Sequence, residues 1–354
     1  MGDREKQQKG TRPFISRVEW IDMAKGLGIV LVVVAHALPK NHIVWQFVNQ
    51  FHMPFFFVIS GYLYVQKDSW YRFVIRKIRT LWIPFVSTSL LTNVIGILFG
   101  ESSFGGIKSI IKMILLLEAG PLLGAIWFIR VLFYALIFYD LITRISNKAL
   151  KEKAEIGLSF LSTAMLAIGI NTQLPAQGSV VLNSIAFIHL GKVLRNHKLL
   201  EKIHVFVAVA AIAVCFVISL INKTSYVGNT YTYPVLFAIA AITGSVGLMA
   251  LCICIYKDAR PFRGLLYFGK NSMGPMIWQF IAFKLVIGIQ IAVYHLGWNR
   301  IFDFPVIYEY ANLPWVILDV IVGLYGSIIL YKMINQPIDN LSAKAEEWLL
   351  ARLN

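Results

Sequence analysis

EWIDMAKGLGIVLVVVAHALPKNHIVWQFVNQFHMPFFFVISG, Glu19 to Gly61, is two apolar helical runs that carry ionisable side chains where a plain membrane anchor would carry none. Asp22, Lys25, His36 and His52 sit in or beside segments otherwise built from Val, Leu, Ile, Phe and Gly. In hydrocarbon such groups are costly unless they have partners or do a job, which marks this stretch as the place to look for chemistry.

The rest of the chain has the same apolar character. Of 354 residues, 58% are apolar and only 14% charged, against about 25% charged in soluble domains. The fold class that follows is all-α, a polytopic membrane protein. A net charge of +15 would suit nucleic acid only if the basic residues shared one solvated face; here they fall in short clusters between apolar runs, which excludes that partner. Cys215, Cys252 and Cys254 all lie within apolar segments and read as small core residues, with neither a disulfide framework nor a metal site. Lys25 interrupts the first apolar run and no small-residue cleavage site follows, so that run is expected to stay as a helix.

Working outward, residues 1–17 are polar and basic and predict a disordered cytoplasmic tail. Ten apolar runs follow, at about 21–39, 44–65, 80–99, 125–145, 155–172, 178–195, 203–221, 235–256, 271–295 and 313–333. The connections after the even-numbered runs are rich in Lys and Arg and the alternate ones are poor in them, with Lys40 alone after the first and Lys223 alone after the seventh. By the positive-inside rule, both termini are cytoplasmic. Residues 18–335 are therefore expected to form one ten-helix transmembrane domain and residues 336–354 an amphipathic cytoplasmic helix. Residues 104–118 read as a helix lying on the outer face. The polar outer loops 222–234 and 296–312 are candidates for lining an entrance.

Lys25 and His36 are eleven residues apart, close to three helical turns and about 16 Å of rise, so they share a face with Asp22. One polar stripe thus runs most of the way along the first helix, with His36 past the midplane toward the outside. Lys25 also suits a snorkelling anchor, while imidazole is the side chain best matched to proton transfer near neutral pH. His52 heads HMPFFFVISG in the second helix at about the depth of His36, where Pro54 frees a carbonyl and Ser60 and Gly61 permit close helix approach. After the second helix, Arg72, Arg76, Lys77 and Arg79 make a basic patch suited to phosphate oxygens or to ordinary positive-inside charge. Elsewhere, Arg130 lies in the outer part of the fourth helix. Lys284 and Asp319 are candidates for an interhelical pair, and Asp140 and His189 for solvated or paired groups near the inner ends.

Asp22-x-x-Lys25-Gly26 followed by His36, then FHMPFFFVISGY, Arg76-x-x-Arg79 leading into Pro84, and IWFIRVLF around Trp127 resemble the membrane-bound acyltransferase family 3. The chain is similar in particular to the branch of fucose 4-O-acetylase-like sugar acetyltransferases. The resemblance implies a ten-helix bundle in the bacterial cytoplasmic (inner) membrane. Its donor is acyl-CoA, most simply acetyl-CoA, and its acceptor a hydroxyl of an envelope or exported glycan; no metal is implied. It also implies that His36 stands at the family's essential histidine, with Lys25 where most members have arginine, and that Arg76 and Arg79 meet the acyl-CoA, with Trp127 in the matched IWFIRVLF. Late in the chain, GKNSMGPMIWQFIAFK resembles the family's G-K-N-S-L segment, with Gln279 where many members carry histidine and so without an acid-base role.

On this reading His36 serves as general base or takes the acyl group transiently, Lys25 and Asp22 orient the donor or stabilise charge, and His52 stands beside them. The principal rival is a transporter or flippase of a glycan or lipid-linked intermediate, since buried charges also line transport paths. A lipid- or protein-modifying O-acyltransferase of the unrelated class and a non-catalytic sensor are the others.

Overall fold

A computed structural model describes residues 19–66, 69–98, 106–256 and 262–352. The expected tail at residues 1–17 lies outside the described residues. The protein is mostly helical, and each of the ten apolar runs is a helix. They are α1 (Glu19–Ala37), α2 (Ile43–Tyr62), α3 (Trp70–Lys77) continuing through a π-helical turn (Ile78–Trp82) into α4 (Ile83–Leu98), α6 (Trp127–Leu150), α7 (Ala154–Asn171), α8 (Gly178–Asn196), α9 (Val205–Ser219), α10 (Pro234–Ile255), α12 (Met273–Val293) and α13 (Leu313–Arg352). Two shorter helices, α5 (Ile107–Ile114) and α11 (Arg263–Lys270), precede α6 and α12.

Among the described residues, five helices are long and apolar enough to cross a membrane: Glu19–Ala37, Trp70–Ile97, Pro234–Ile255, Met273–Val293 and Leu313–Arg352. Val205–Ser219 is as apolar but shorter. α2 has the length, but Gln46, Asn49, Gln50 and His52 dilute its hydropathy. The lateral surface carries large apolar side chains, Phe206 being 84% and Phe160 75% exposed, which water would not tolerate in quantity and a bilayer accepts.

α1 and α2 form the centre. α2 packs on α8, α10 and α9, with α6 and α7 outside α8; α1 packs on α11, α13, α10 and α12. Backbones approach closely because glycines leave room. A Cβ on Gly26 would stand 1.9 Å from the Leu265 carbonyl oxygen, and one on Gly269 1.7 Å from that of Asp22, so α1 and α11 touch main chain to main chain. Gly61 plays the same part against Ile188, as its small size suggested.

Two expectations change in detail. Arg72, Arg76, Lys77 and Arg79 are not on a loop: they lie on α3 and the π turn, which deliver them as a helical extension of α4. Nor is the amphipathic C-terminal stretch a separate helix; residues 336–352 continue α13 straight through Pro337.

Between α9 and α10 a two-stranded hairpin, β1 (Thr224–Ser225) and β2 (Thr230–Tyr231), folds back over the end of α2. Gln50 Nε2 donates to the Asn222 carbonyl at 2.5 Å and Thr224 Oγ1 to that of Asn49 at 3.3 Å. The tip is fixed by Asn229 in the left-handed region (φ 50°), whose Nδ2 donates to the carbonyls of Gly169 and Thr172 at 2.8 Å each.

Candidate active site

His36 comes from the last turn of α1 and His52 from the middle of α2, and both line one cavity of about 440 Å³. Trp127, at the start of α6, lines it too. The two polar loops form its lid: Ser225, Tyr226 and Val227 from the hairpin, and Phe304, Pro305 and Tyr308 from the connection between α12 and α13. No aspartate or glutamate is among the lining residues.

The hydrogen bonds fix how each imidazole presents itself. His36 Nδ1 lies 3.0 Å from Gln279 Oε1, and the ring packs on Phe280 with centroids 4.8 Å apart. With an amide oxygen as partner, Nδ1 carries the hydrogen and Nε2 keeps its lone pair, which is the form a general base or nucleophile requires. His52 Nδ1 donates to the Val48 carbonyl at 2.8 Å, the i−4 position of its own helix, and is likewise left with an unprotonated Nε2. Tyr226 is fully inside the lid and shares a hydrogen bond with Ser184 Oγ at 3.0 Å; burial holds its hydroxyl well above the ordinary tyrosine range, so it stays neutral. Burial raises Tyr308 in the same sense.

The other sequence-derived residues lie apart from this cavity. Asp22 and Lys25 pair at 3.5 Å near the opposite end of α1, against the Gly269 approach. Arg76 and Arg79 both reach Glu346 of α13, Arg76 Nε at 3.6 Å from one carboxylate oxygen and Arg79 Nε on the other, so the two arginines do share a helix face. Gly323, which packs on Val33 near the His36 end, and Glu346 are separated by about 35 Å of helix, so the arginines are a bundle's thickness from the histidines. Trp127 thus sits with the histidines and not with the arginines.

Lys284 and Asp319 do not pair. Lys284 Nζ donates to the Asp303 carbonyl and lies 5.7 Å over the Phe304 ring, while Asp319, 2% exposed, has an Oδ1 without a hydrogen-bond partner. The lysine's long stem carries its ammonium to the Asp303 carbonyl of the polar loop and away from the buried carboxylate. Arg130 staples α6 to the preceding loop through the carbonyls of Leu116 and Leu117 at 3.2 and 2.8 Å. Asp140 is paired: Arg144 Nε donates to it at 2.6 Å and Tyr64 at 2.7 Å. His189 bridges Tyr139 and Ser159. Among the described residues no group of His, Cys, Asp and Glu is arranged to hold a metal ion.

Sequence reasoning passed over Gln279 as an acid-base group and missed it as a partner. The available signal was an amide inside an apolar helix, where an unpaired polar group is as expensive as in any core.

No curated protein and no solved structure matches the chain. A family model, that of the acyltransferase domain, matches residues 18–332, which takes in every helix that builds the cavity. The chain therefore belongs to the acyltransferase 3 family, and with its long apolar helices it is a membrane acyltransferase.

Proposed function

We propose that this enzyme transfers an acetyl group from cytoplasmic acetyl-CoA to a hydroxyl of an envelope or exported glycan. In this reading ten helices cross the bacterial inner membrane and both termini are cytoplasmic. The basic connections after alternate helices support that orientation. The similarity of the first 85 residues to fucose 4-O-acetylase-like enzymes supports the choice of acetyl and of a sugar hydroxyl.

The observation that carries the proposal is the His36–Gln279 bond at the wall of a cavity closed by polar loops. The acceptor hydroxyl enters under the hairpin and gives its proton to His36 Nε2 as its oxygen attacks the thioester carbonyl. The new C–O bond forms, the C–S bond breaks, and coenzyme A leaves as thiolate to take up a proton. His52 and Trp127 shape the reaction space. Arg76 and Arg79 take up the donor's phosphates at the cytoplasmic end, and because the pantetheine arm is shorter than the stretch from these arginines to His36, the donor moves along α1 past Lys25 and Asp22 before the transfer.

The test is release of free thiol and acetyl transfer by purified full-length protein with acetyl-CoA and cell-envelope glycans, wild type beside His36→Ala. Loss of both in the variant supports the reading. A wild type that neither binds nor cleaves acetyl-CoA overturns it at the donor.

A further inference from the structure

The connection between α1 and α2 carries one lysine, Lys40, and so does the connection between α9 and α10, Lys223. These loops are otherwise free of both Lys and Arg and of acidic residues. Yet the two lysines, 183 positions apart, line the same groove of about 620 Å³. The groove shares Lys40, Trp45 and Ser225 with the cavity of His36, so it is the approach to that cavity. Trp45 and Tyr231 supply aromatic surface, and Gln46 with Ser225 and neighbouring threonines supply amide and hydroxyl groups. Neither lining contains a carboxylate, and among the described residues neither lysine is held in an ion pair.

Two ammonium groups on one groove repel each other and gain by meeting an anion. A lysine is a point charge that takes carboxylate or phosphate alike. Aromatic rings beside hydroxyl and amide groups suit a saccharide, whose ring has apolar faces and a polar rim. Resting on the acyltransferase reading of the His36 cavity, we infer that the acceptor is an acidic saccharide, its carboxylate or phosphate held by Lys40 and Lys223 while the hydroxyl to be acylated reaches His36.

Binding is measured by calorimetry on full-length protein in non-ionic detergent. A hyaluronan tetrasaccharide, which carries glucuronate, is compared with neutral chitotetraose, and glucose 1-phosphate with glucose. The acidic ligand of at least one pair is expected to bind about tenfold tighter than its neutral counterpart, the upper end of what two exposed charge contacts provide, and to lose that advantage as salt rises. Lys40→Ala with Lys223→Ala abolishes the preference, and Lys40→Arg with Lys223→Arg retains it. Equal affinity within both pairs, or a double alanine variant that still prefers the acid, overturns the inference. So does displacement of the sugar by phosphatidylglycerol vesicles at matched phosphate, which would assign the lysines to lipid headgroups. Acetyl-CoA cleavage is read on the same preparations: acid-selective binding without cleavage leaves the anion-binding groove standing and removes the acyltransferase reading. Cleavage without acid selectivity does the reverse.

Discussion

Nδ1 of His36 and Oε1 of Gln279 lie 3.0 Å apart across 243 positions of sequence. A histidine in a bundle without a nearby carboxylate is thus oriented by an amide, which fixes the tautomer and adds no charge to the cavity. Gln279→Leu is expected to lower kcat about ten- to a hundredfold with little change in KM for acetyl-CoA, the loss of one buried hydrogen bond that positions the base. Gln279→Glu, which still offers an oxygen acceptor, should keep more activity than the leucine variant. Steady-state rates of thiol release decide it, and equal rates for leucine and wild type would remove Gln279 from the mechanism.

The glycine contact between α1 and α11 has no slack. Gly269→Ala places a methyl 1.7 Å from the Asp22 carbonyl oxygen, with backbone and not a flexible side chain in its way. A destabilisation of about 1–3 kcal/mol or more is expected, visible as a lower midpoint of heat-induced aggregation in detergent. Gly264→Ala, where an added Cβ meets nothing within 4 Å, is the control that should leave the midpoint unchanged.

Glu346 occupies both arginines of the R-x-x-R segment. If Arg76 and Arg79 receive the phosphates of the donor, the carboxylate competes with them. Glu346→Gln should then lower KM for acetyl-CoA about threefold and Arg79→Ala raise it about tenfold, modest changes because Arg76 and Arg79 are partly exposed. Initial rates against acetyl-CoA concentration measure both. A glutamine variant with weaker donor affinity would make Glu346 part of the donor site.

Asp319 is buried, and one of its oxygens lacks a hydrogen-bond partner among the described residues. Neutralising it relieves a desolvated carboxylate, so Asp319→Asn is expected to raise stability by about 1 kcal/mol with activity retained. Had it been paired with Lys284, the same change would destabilise. The melting midpoint in detergent separates the two.

The helices were legible because apolar length is what a bilayer demands, and each of the ten runs is a helix. Boundaries were less so. Nothing in Arg72–Arg79 says whether a basic segment is a loop or the solvated end of a helix, and Pro337 does not break α13. At the site, His36, His52 and Trp127 were legible by residue type and by resemblance, and they share a cavity. Gln279 was not, because attention to ionisable groups overlooks neutral amides with the same hydrogen-bond requirement. The Lys284–Asp319 pair failed for a geometric reason: spacing along each helix does not say which way a long lysine stem turns.

The tight seam between Gly26 and Gly269, with Gln279 ten residues beyond the second glycine, also sets when the enzyme comes into being. The histidine leaves the ribosome 243 residues before its amide partner, and the floor it rests on arrives with that late segment. Until then α1 stands in the membrane with an imidazole that nothing orients. On the proposed role of His36, the first helices alone are a poor catalyst during synthesis, and full reactivity waits until the late segment closes against the early one.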